Sequence, residues 1–355
     1  MRLTDLLRAS LAGVVLSAPE ETDSLSFHPA AGSSLTKGFV TESEFSLDSI
    51  SAVVDGQDVS QMAGQVELSM TSSATYEVTD VYKSVAEGRP LELLRTFDTL
   101  EGSATFSLAQ APEMPEISSA SDLEGKTVAF RWNAEKDEYE RSFHESTGDE
   151  KLLEDLEEDM DLRFLLPDEE VEVDGTWNIE LEELLALLMP GGNLQLMPEG
   201  EAADPEAMEM FAGLMDSLGT SFGEMLEGQC VCTYKGTREE GGTKVGEIEL
   251  AIEITGALDL RELMNQFIET AMANAPAEIE VDFDIGTADL SLDYEGTGTF
   301  LWNLEAGRVH SFSLDGEVGF GLKLAASIEA MGESHSIDAS AEMSGEMTNE
   351  VATKE

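Results

Sequence analysis

The sequence is poor in positive charge. Nineteen Lys and Arg stand against 74 Asp and Glu, a formal charge of -55 over 355 residues. That balance repels phosphate backbones and anionic headgroups, so nucleic acid is excluded as a partner. Cysteine is also scarce. Cys230 and Cys232 are the only two, and no His or further Cys lies near them to complete a thiolate metal site. A disulfide between residues two apart is strained, so the pair reads as buried or half-buried thiols. The four histidines, His28, His144, His310 and His335, are scattered. Aromatic residues make up 6% with three Trp, which leaves no exposed stripe for carbohydrate. No run of 18 apolar residues exists, so no helical membrane span is expected. Dinucleotide, P-loop and HExxH fingerprints are absent too.

Two near-motifs fail on their spacing. "GTSFG" (Gly219–Gly223) matches G-x-S-x-G, but Ser221 falls in or after a Met-rich helical pattern, without a strand before it or an acid-histidine pair after it. In "EEVEVDGTWNIELEE", Glu170, Glu172, Asp174 and Gly175 imitate the start of an EF-hand loop. The twelfth position, where the loop needs a bidentate Glu, is Leu181. The stretch reads instead as a short acidic strand, a turn at Asp174-Gly175, and a Trp177 turned to the core. Paired carboxylates are too abundant to single out an acid–base couple. The sequence therefore names no catalytic residue, no metal ligand and no cofactor, and points to a non-enzymatic protein.

What is present is period-two alternation over long stretches. Val66, Leu68, Met70, Ala74, Tyr76 and Val78 alternate with polar residues. So do Phe312, Leu314, Val318, Phe320, Leu322, Leu324 and Ile328, before "MGESH" reverses the phase to Ile337, Ala339, Ala341 and Met343. One apolar face and one wet face is the pattern of antiparallel strands. Strands of about seventeen residues reach roughly 55 Å and must twist and coil. The phase changes near Gly286, which points to a bulge or a turn, and "NLEAGRVH" reads as a hairpin loop with Gly307 at its positive φ.

Helical patterns cluster in the middle of the chain. They are "DEKLLEDLEEDMD", "IELEELLALLMPGG", "DPEAMEMFAGLMDSLGTSFGEMLEG" and, further on, "DLRELMNQFIETAMANAP". The first places Glu150, Glu154 and Glu158 four apart, with repulsions of ~0.2–0.5 kcal/mol each. The expected fold class is α+β, mainly β: a large, strongly curved, half-barrel-like antiparallel sheet with several amphipathic helices against its apolar face. Residues 1–22 read as a signal peptide or an N-terminal helix, and 23–355 as one composite domain. Within it, strands fill 23–144, a mainly helical segment 145–228, and strands with a helix near 259–274 fill 229–355.

Methionine fills irregular apolar space and suits surfaces that must adapt. A concave apolar sheet under Met-rich helices would enclose an apolar or lipid-like molecule, lined by Met208, Phe211, Met215, Phe222, Phe267, Phe312, Phe320 and Leu322. The alternative is an acidic cell-surface structural or assembly protein that engages diffuse cations or partner proteins.

Four segments carry a resemblance: "VTDVYKSVAEGRPLELLRTFDTL", "LEGKTVAFRWNAEKDEYE", "LEEDMDLRFLLPDEEVEVDGTW" and "GTGTFLWNLEAGRVHSFSLDGEV". With Leu166, Pro167, Val171, Gly175, Thr176 and Trp177, they resemble a family of uncharacterised, exported, bacterial β-rich proteins. The resemblance implies an extracytoplasmic location and a large sheet; it supplies no site. A looser likeness, at the level of fold, is to the half-barrels of bacterial lipoprotein carriers. "MRLTDLLRASLAGVVLSAPEE", with Arg2, Arg8 and the apolar run to Ala18, is consistent with export.

Self-repulsion of this charge opposes compaction, and salt screens it over about 10 Å at 0.1 M. The thermal unfolding midpoint is expected to climb steeply from low to moderate salt; a midpoint indifferent to salt contradicts this.

Overall fold

A computed structural model describes residues 24–60, 68–108, 116–198, 226–262, 281–330 and 333–354, with 264, 265 and 268. One antiparallel sheet of fourteen strands dominates it. In chain order these are β1 (Ser34–Val54), β2 (Gln57–Asp58), β3 (Leu68–Ala86), β4 (Arg89–Leu108), β5 (Ile117–Ala120), β6 (Thr127–Asn133) and β7 (Glu138–Phe143). There follow β8 (Thr176–Ile179), β9 (Met197–Pro198), β10 (Leu226–Glu240), β11 (Thr243–Asp259), β12 (Val281–Asn303), β13 (Arg308–Ala330) and β14 (Glu333–Lys354). The spatial order is β7-β6-β4-β3-β1-β14-β13-β12-β11-β10-β8, with β2 on β1, and β5 joining β4 to β9.

Alternation explains the length of these strands. Each inward row matches the next through the register, as in Phe39↔Val351↔Phe312↔Phe300↔Ile248. A slip of one residue would turn the whole set outward. β12 and β13 each run 23 residues, roughly 75 Å of extended chain. The register shifts between Ile285 and Thr287, where a bulge or a turn near Gly286 was expected. Gly307 closes the β12–β13 hairpin at φ 61°.

The sheet bends around its apolar face. Phe27 lies 5.7 Å from Tyr82 of β3 and 6.5 Å from Trp302 of β12, so those two rings are within about 12 Å of each other. On a flat sheet, four strand spacings of ~4.8 Å would part them by roughly 19 Å.

Residues 145–198 form a strap over that face. The strap leaves β7, crosses to pair β8 with β10 at the other flank, and returns to pair β9 with β5. Its Leu156, Met160, Leu165, Leu184 and Leu187 join the same core as Phe97, Phe130, Phe300 and Trp302.

The expected amphipathic helices do not appear among the described residues. Among the described residues no helix reaches seven residues, so the fold is all-β rather than α+β. "DEKLLEDLEEDMD" yields one 3-10 turn, Glu150–Leu153. Two causes are visible. Asp155 and Leu162 take φ of 56°, outside the helical region. Arg95 also takes the carbonyls of Glu157 and Glu158, at 2.9 and 2.7 Å, which a helix would use itself. The buried stripe of Leu152, Leu156 and Met160 is real, but an irregular chain delivers it. "IELEELLALLMPGG" gives four helical residues, Leu185–Leu188, after a series of turns. The Met-rich pattern over 204–228 lies outside the described residues up to 225, and near 259–274 a bond from Met264 N–H to the Leu260 carbonyl, 2.9 Å, closes a single turn. The acidic strand read into Glu169–Val173 is also absent. The chain turns at Asp174, φ 64°, and the strand begins after it, at Thr176.

The outer face collects acid in rows. Glu253 stands opposite Glu295, Glu295 opposite Glu317, Glu317 opposite Glu346, and Glu346 opposite Glu44. Five exposed carboxylates thus cross five adjacent strands. Like charges directly opposite destabilise a sheet. Glu317→Gln, which has an acidic neighbour on each side, is expected to raise stability at low salt by a few tenths of a kcal/mol. The gain should fade in high salt; an equal or opposite change at both ionic strengths in urea titrations would show that the ladder is not under strain.

Candidate functional site

Placing an apolar strap across an apolar sheet still requires a lock that fixes where it sits. Three inward strand positions carry charge instead of hydrocarbon: Lys37 between Leu35 and Phe39, Asp80 between Val78 and Tyr82, and Arg95 between Leu93 and Phe97. All three are fully buried. Arg95 binds Asp80 through two parallel bonds, 2.8 and 2.9 Å. Lys37 Nζ lies 2.7 Å from Asp80 and 3.0 Å from Asp161 of the strap. Tyr82 donates to Asp161 at 2.7 Å. Arg95 spends its remaining donors on the strap backbone at Glu157 and Glu158. Two cations, two carboxylates and two carbonyls are thereby satisfied without water.

The electrostatics follow from this arrangement. Burial pushes the Asp80 carboxyl up, but Arg95 and then Lys37 outweigh it, and the net shift is downward. Burial, with Asp161 and Asp80 adding, drives the Tyr82 phenol well above its ordinary value. Glu158 is different. Its carboxyl is pushed up to about 7, chiefly by burial, with Asp159 and Asp161 adding against Arg163 and Arg95. One of its oxygens bonds Arg163; the other has no hydrogen-bond partner among the described residues. Arg163 also stacks on Phe27, 4.7 Å from the ring centroid. The strap is therefore tied to the N-terminal segment as well.

So held, the strap brings Leu181, Leu184 and Leu187 over β10 to β14 and β1. Between them lies a cavity of about 160 Å³. Its strand wall includes Phe45, Ile252, Leu292, Leu314, Phe320 and Met347, and its lining contains one polar side chain, Tyr294. Among the described residues no Lys, Arg, His, Asp or Glu reaches it. Cys230 and Cys232 sit nearby on β10, both buried and free, facing inward beside Ile252 and Leu250. The hydrogen bond that Cys232 donates to Cys230, then burial, pushes the Cys232 thiol up.

Of the residues expected to line a site, Phe320 does so, 5.6 Å from Phe45. Phe312 belongs to the closed core, 6.3 Å from Phe300 and 3% exposed. Leu322 is one inward row beyond Phe320, 37% exposed, and does not border the cavity. Met208, Phe211, Met215, Phe222 and Phe267 lie outside the described residues, as does Ser221. The other lining residues, Leu292 and Tyr294 among them, were not among those expected at a site. Their signal was present in the phase: Leu292, Tyr294, Leu314 and Val318 alternate on paired strands, and glycines at the facing positions Gly296 and Gly316 leave room beside them. Among the described residues, no group of three or more His, Cys, Asp or Glu is arranged to hold a metal ion, and no helix is long and apolar enough to cross a membrane.

No family model and no curated protein matches the chain. Among solved structures it aligns with the crystal structure of Pseudomonas aeruginosa OccK7 (OpdD), at 8% identity over 88% of this chain and 98% of that one. The TM-score of 0.13 is too low for that alignment to say anything of fold or function.

Two outcomes are expected at the lock. Asp80→Asn takes the carboxylate from Arg95 and leaves one buried positive charge uncompensated, since Lys37 keeps Asp161; it should cost about 3–5 kcal/mol in urea unfolding, with proteolysis opening first inside 145–198, and a loss below ~1 kcal/mol would mean the pair is not held as described. For Glu158 the folded value lies above the ordinary 4.5. Its contribution is complete below 4.5 and is lost as pH rises through about 7, on the order of 3 kcal/mol. Wild type should gain stability on acidification through that window, and Glu158→Gln should lose that part of the slope. An unchanged slope places the titration elsewhere.

Proposed function

We propose that the protein is an extracytoplasmic, non-enzymatic binding protein that holds an apolar, lipid-like molecule between the inner sheet face and the strap. The observation that carries this reading is the cavity between Leu184 and Leu187 on one side and Ile252, Leu314 and Met347 on the other. Close-packed interiors leave few voids larger than a water molecule. An apolar cavity of ~150 Å³ stays dry and takes up benzene, and this one is about 160 Å³. It lies where the strap meets the sheet, so its volume depends on how the ion-paired segment is seated. The extracytoplasmic part rests on the N-terminal stretch and on the resemblance to exported β-rich proteins. The non-enzymatic part rests on a lining that, among the described residues, carries no ionised side chain and no Ser, Cys or His.

A second reading, an acidic surface or assembly protein that gathers cations, is favoured by the glutamate row Glu253–Glu295–Glu317–Glu346–Glu44. Such a row attracts counterions diffusely along the outer face. Tight stoichiometric heat in a calcium titration would favour it over the first.

The first reading is tested by organic extraction with mass spectrometry, and by ¹⁹F NMR titration with 4-fluorotoluene. Saturable binding is expected, and Val318→Phe, which adds a ring at the cavity wall, should weaken it at least tenfold. A native protein that yields no apolar molecule and binds the probe without saturation would sink the proposal.

A further inference from the structure

Tyr294 is 9% exposed, and its hydroxyl has no hydrogen-bond partner among the described residues. Its ring lies along β12 over two glycines that face each other across β12 and β13, Gly296 and Gly316. A β-carbon on Gly296 would sit 2.6 Å from Tyr294 Oη, and one on Gly316 2.5 Å from it. Only glycine lets the phenol take this position. The row at the level of the hydroxyl reads Ile252, Gly296, Gly316, Met347. Ile252 and Met347 both line the cavity, so the hydroxyl lies between two of its walls.

Among the described residues every other lining side chain is apolar. A buried hydroxyl without a partner is disfavoured, and a site of this kind discriminates against a ligand that leaves it unpaired. The phenol keeps its proton: burial first, then Cys230 and Asp315, push it up to about 12. It is therefore a donor. A charged ligand is excluded by the same lining, since no cation borders the cavity and an unpaired buried charge is far costlier than a dipole.

We propose that the cavity selects an uncharged molecule with one hydrogen-bonding oxygen (a ketone, ester or alcohol on a ring or short chain) seated with that oxygen on Tyr294 Oη. This rests on the cavity reading above and adds the chemical class of the ligand. The glycine pair and the strap then serve one site: the first positions the donor, and the second walls one side of the cavity with Leu181, Leu184 and Leu187.

The experiment compares two probes of similar shape, 4-fluoroacetophenone and 4-fluorotoluene, by ¹⁹F NMR on wild type and Tyr294→Phe. Wild type should bind the ketone about tenfold more tightly, ~1.4 kcal/mol. Tyr294→Phe should erase that preference while its affinity for 4-fluorotoluene stays within twofold. A preference that persists in Tyr294→Phe, or that is missing in wild type although 4-fluorotoluene binds, overturns this inference and leaves the cavity reading intact. If neither probe binds wild type, both fall. Should the variant fail to fold, the infrared band of the ¹³C-labelled ketone bound to wild type decides. A carbonyl stretch lowered relative to hexane supports the bond to Tyr294, and an unshifted band rejects it.

Discussion

The bond from Arg95 to Asp80 holds this architecture in register. It joins β3 to β4 at a fully buried point and leaves Arg95 three donors for other uses. Two of those donors reach the strap backbone, while Lys37 spans from Asp80 on β3 to Asp161 on the strap. A hydrophobic strap on a hydrophobic sheet slides at little cost, because apolar contact has no direction. The ion network has direction, and it sets a single seating. Everything at the far side, including where Leu184 and Leu187 come to rest over β11 to β14, is downstream of that choice.

The molecule sets two electrostatic regimes back to back. Inside, charges are few, paired and dry, and each is worth more for being shielded from water. Outside, carboxylates stand side by side across the strands, tolerated because water and salt weaken them. The period of two separates the regimes along every strand. The same pleat that sends Phe45 inward sends Glu44 outward.

Strand existence, length and phase were legible because alternation is a local signal. The inward rows through Phe312, Phe320 and Leu292 are where the sequence pattern put them. The strap was misread because its apolar spacing at Leu152, Leu156 and Met160 suits a helix, while the partner that claims its carbonyls, Arg95, is some sixty residues away. The network had a trace in the sequence: Lys37, Asp80 and Arg95 each interrupt an inward apolar row. Three charges at core phase in one chain call for one another, but only pairing of β1, β3 and β4 shows that they meet. Tyr294 was equally visible as an inward aromatic. Its role needed the glycines at Gly296 and Gly316 to be seen as neighbours across a hairpin.

The first long strand, β1, lies between β3 and β14, the last one. The sheet is thus sewn shut in its middle. Until β14 arrives, the strands before it form two separate blankets, one ending at β1 and the other at β13, each with a bare row of amide and carbonyl groups about twenty residues long. Open edges of that length recruit other chains. Contacts this distant in sequence also form slowly. A ribosome that stalls before Glu333 therefore releases a polypeptide with two adhesive borders and nothing to cover them. The acidic rows beside those borders, Glu42 and Glu44 on one and Asp315 and Glu317 on the other, keep unfinished copies apart by charge.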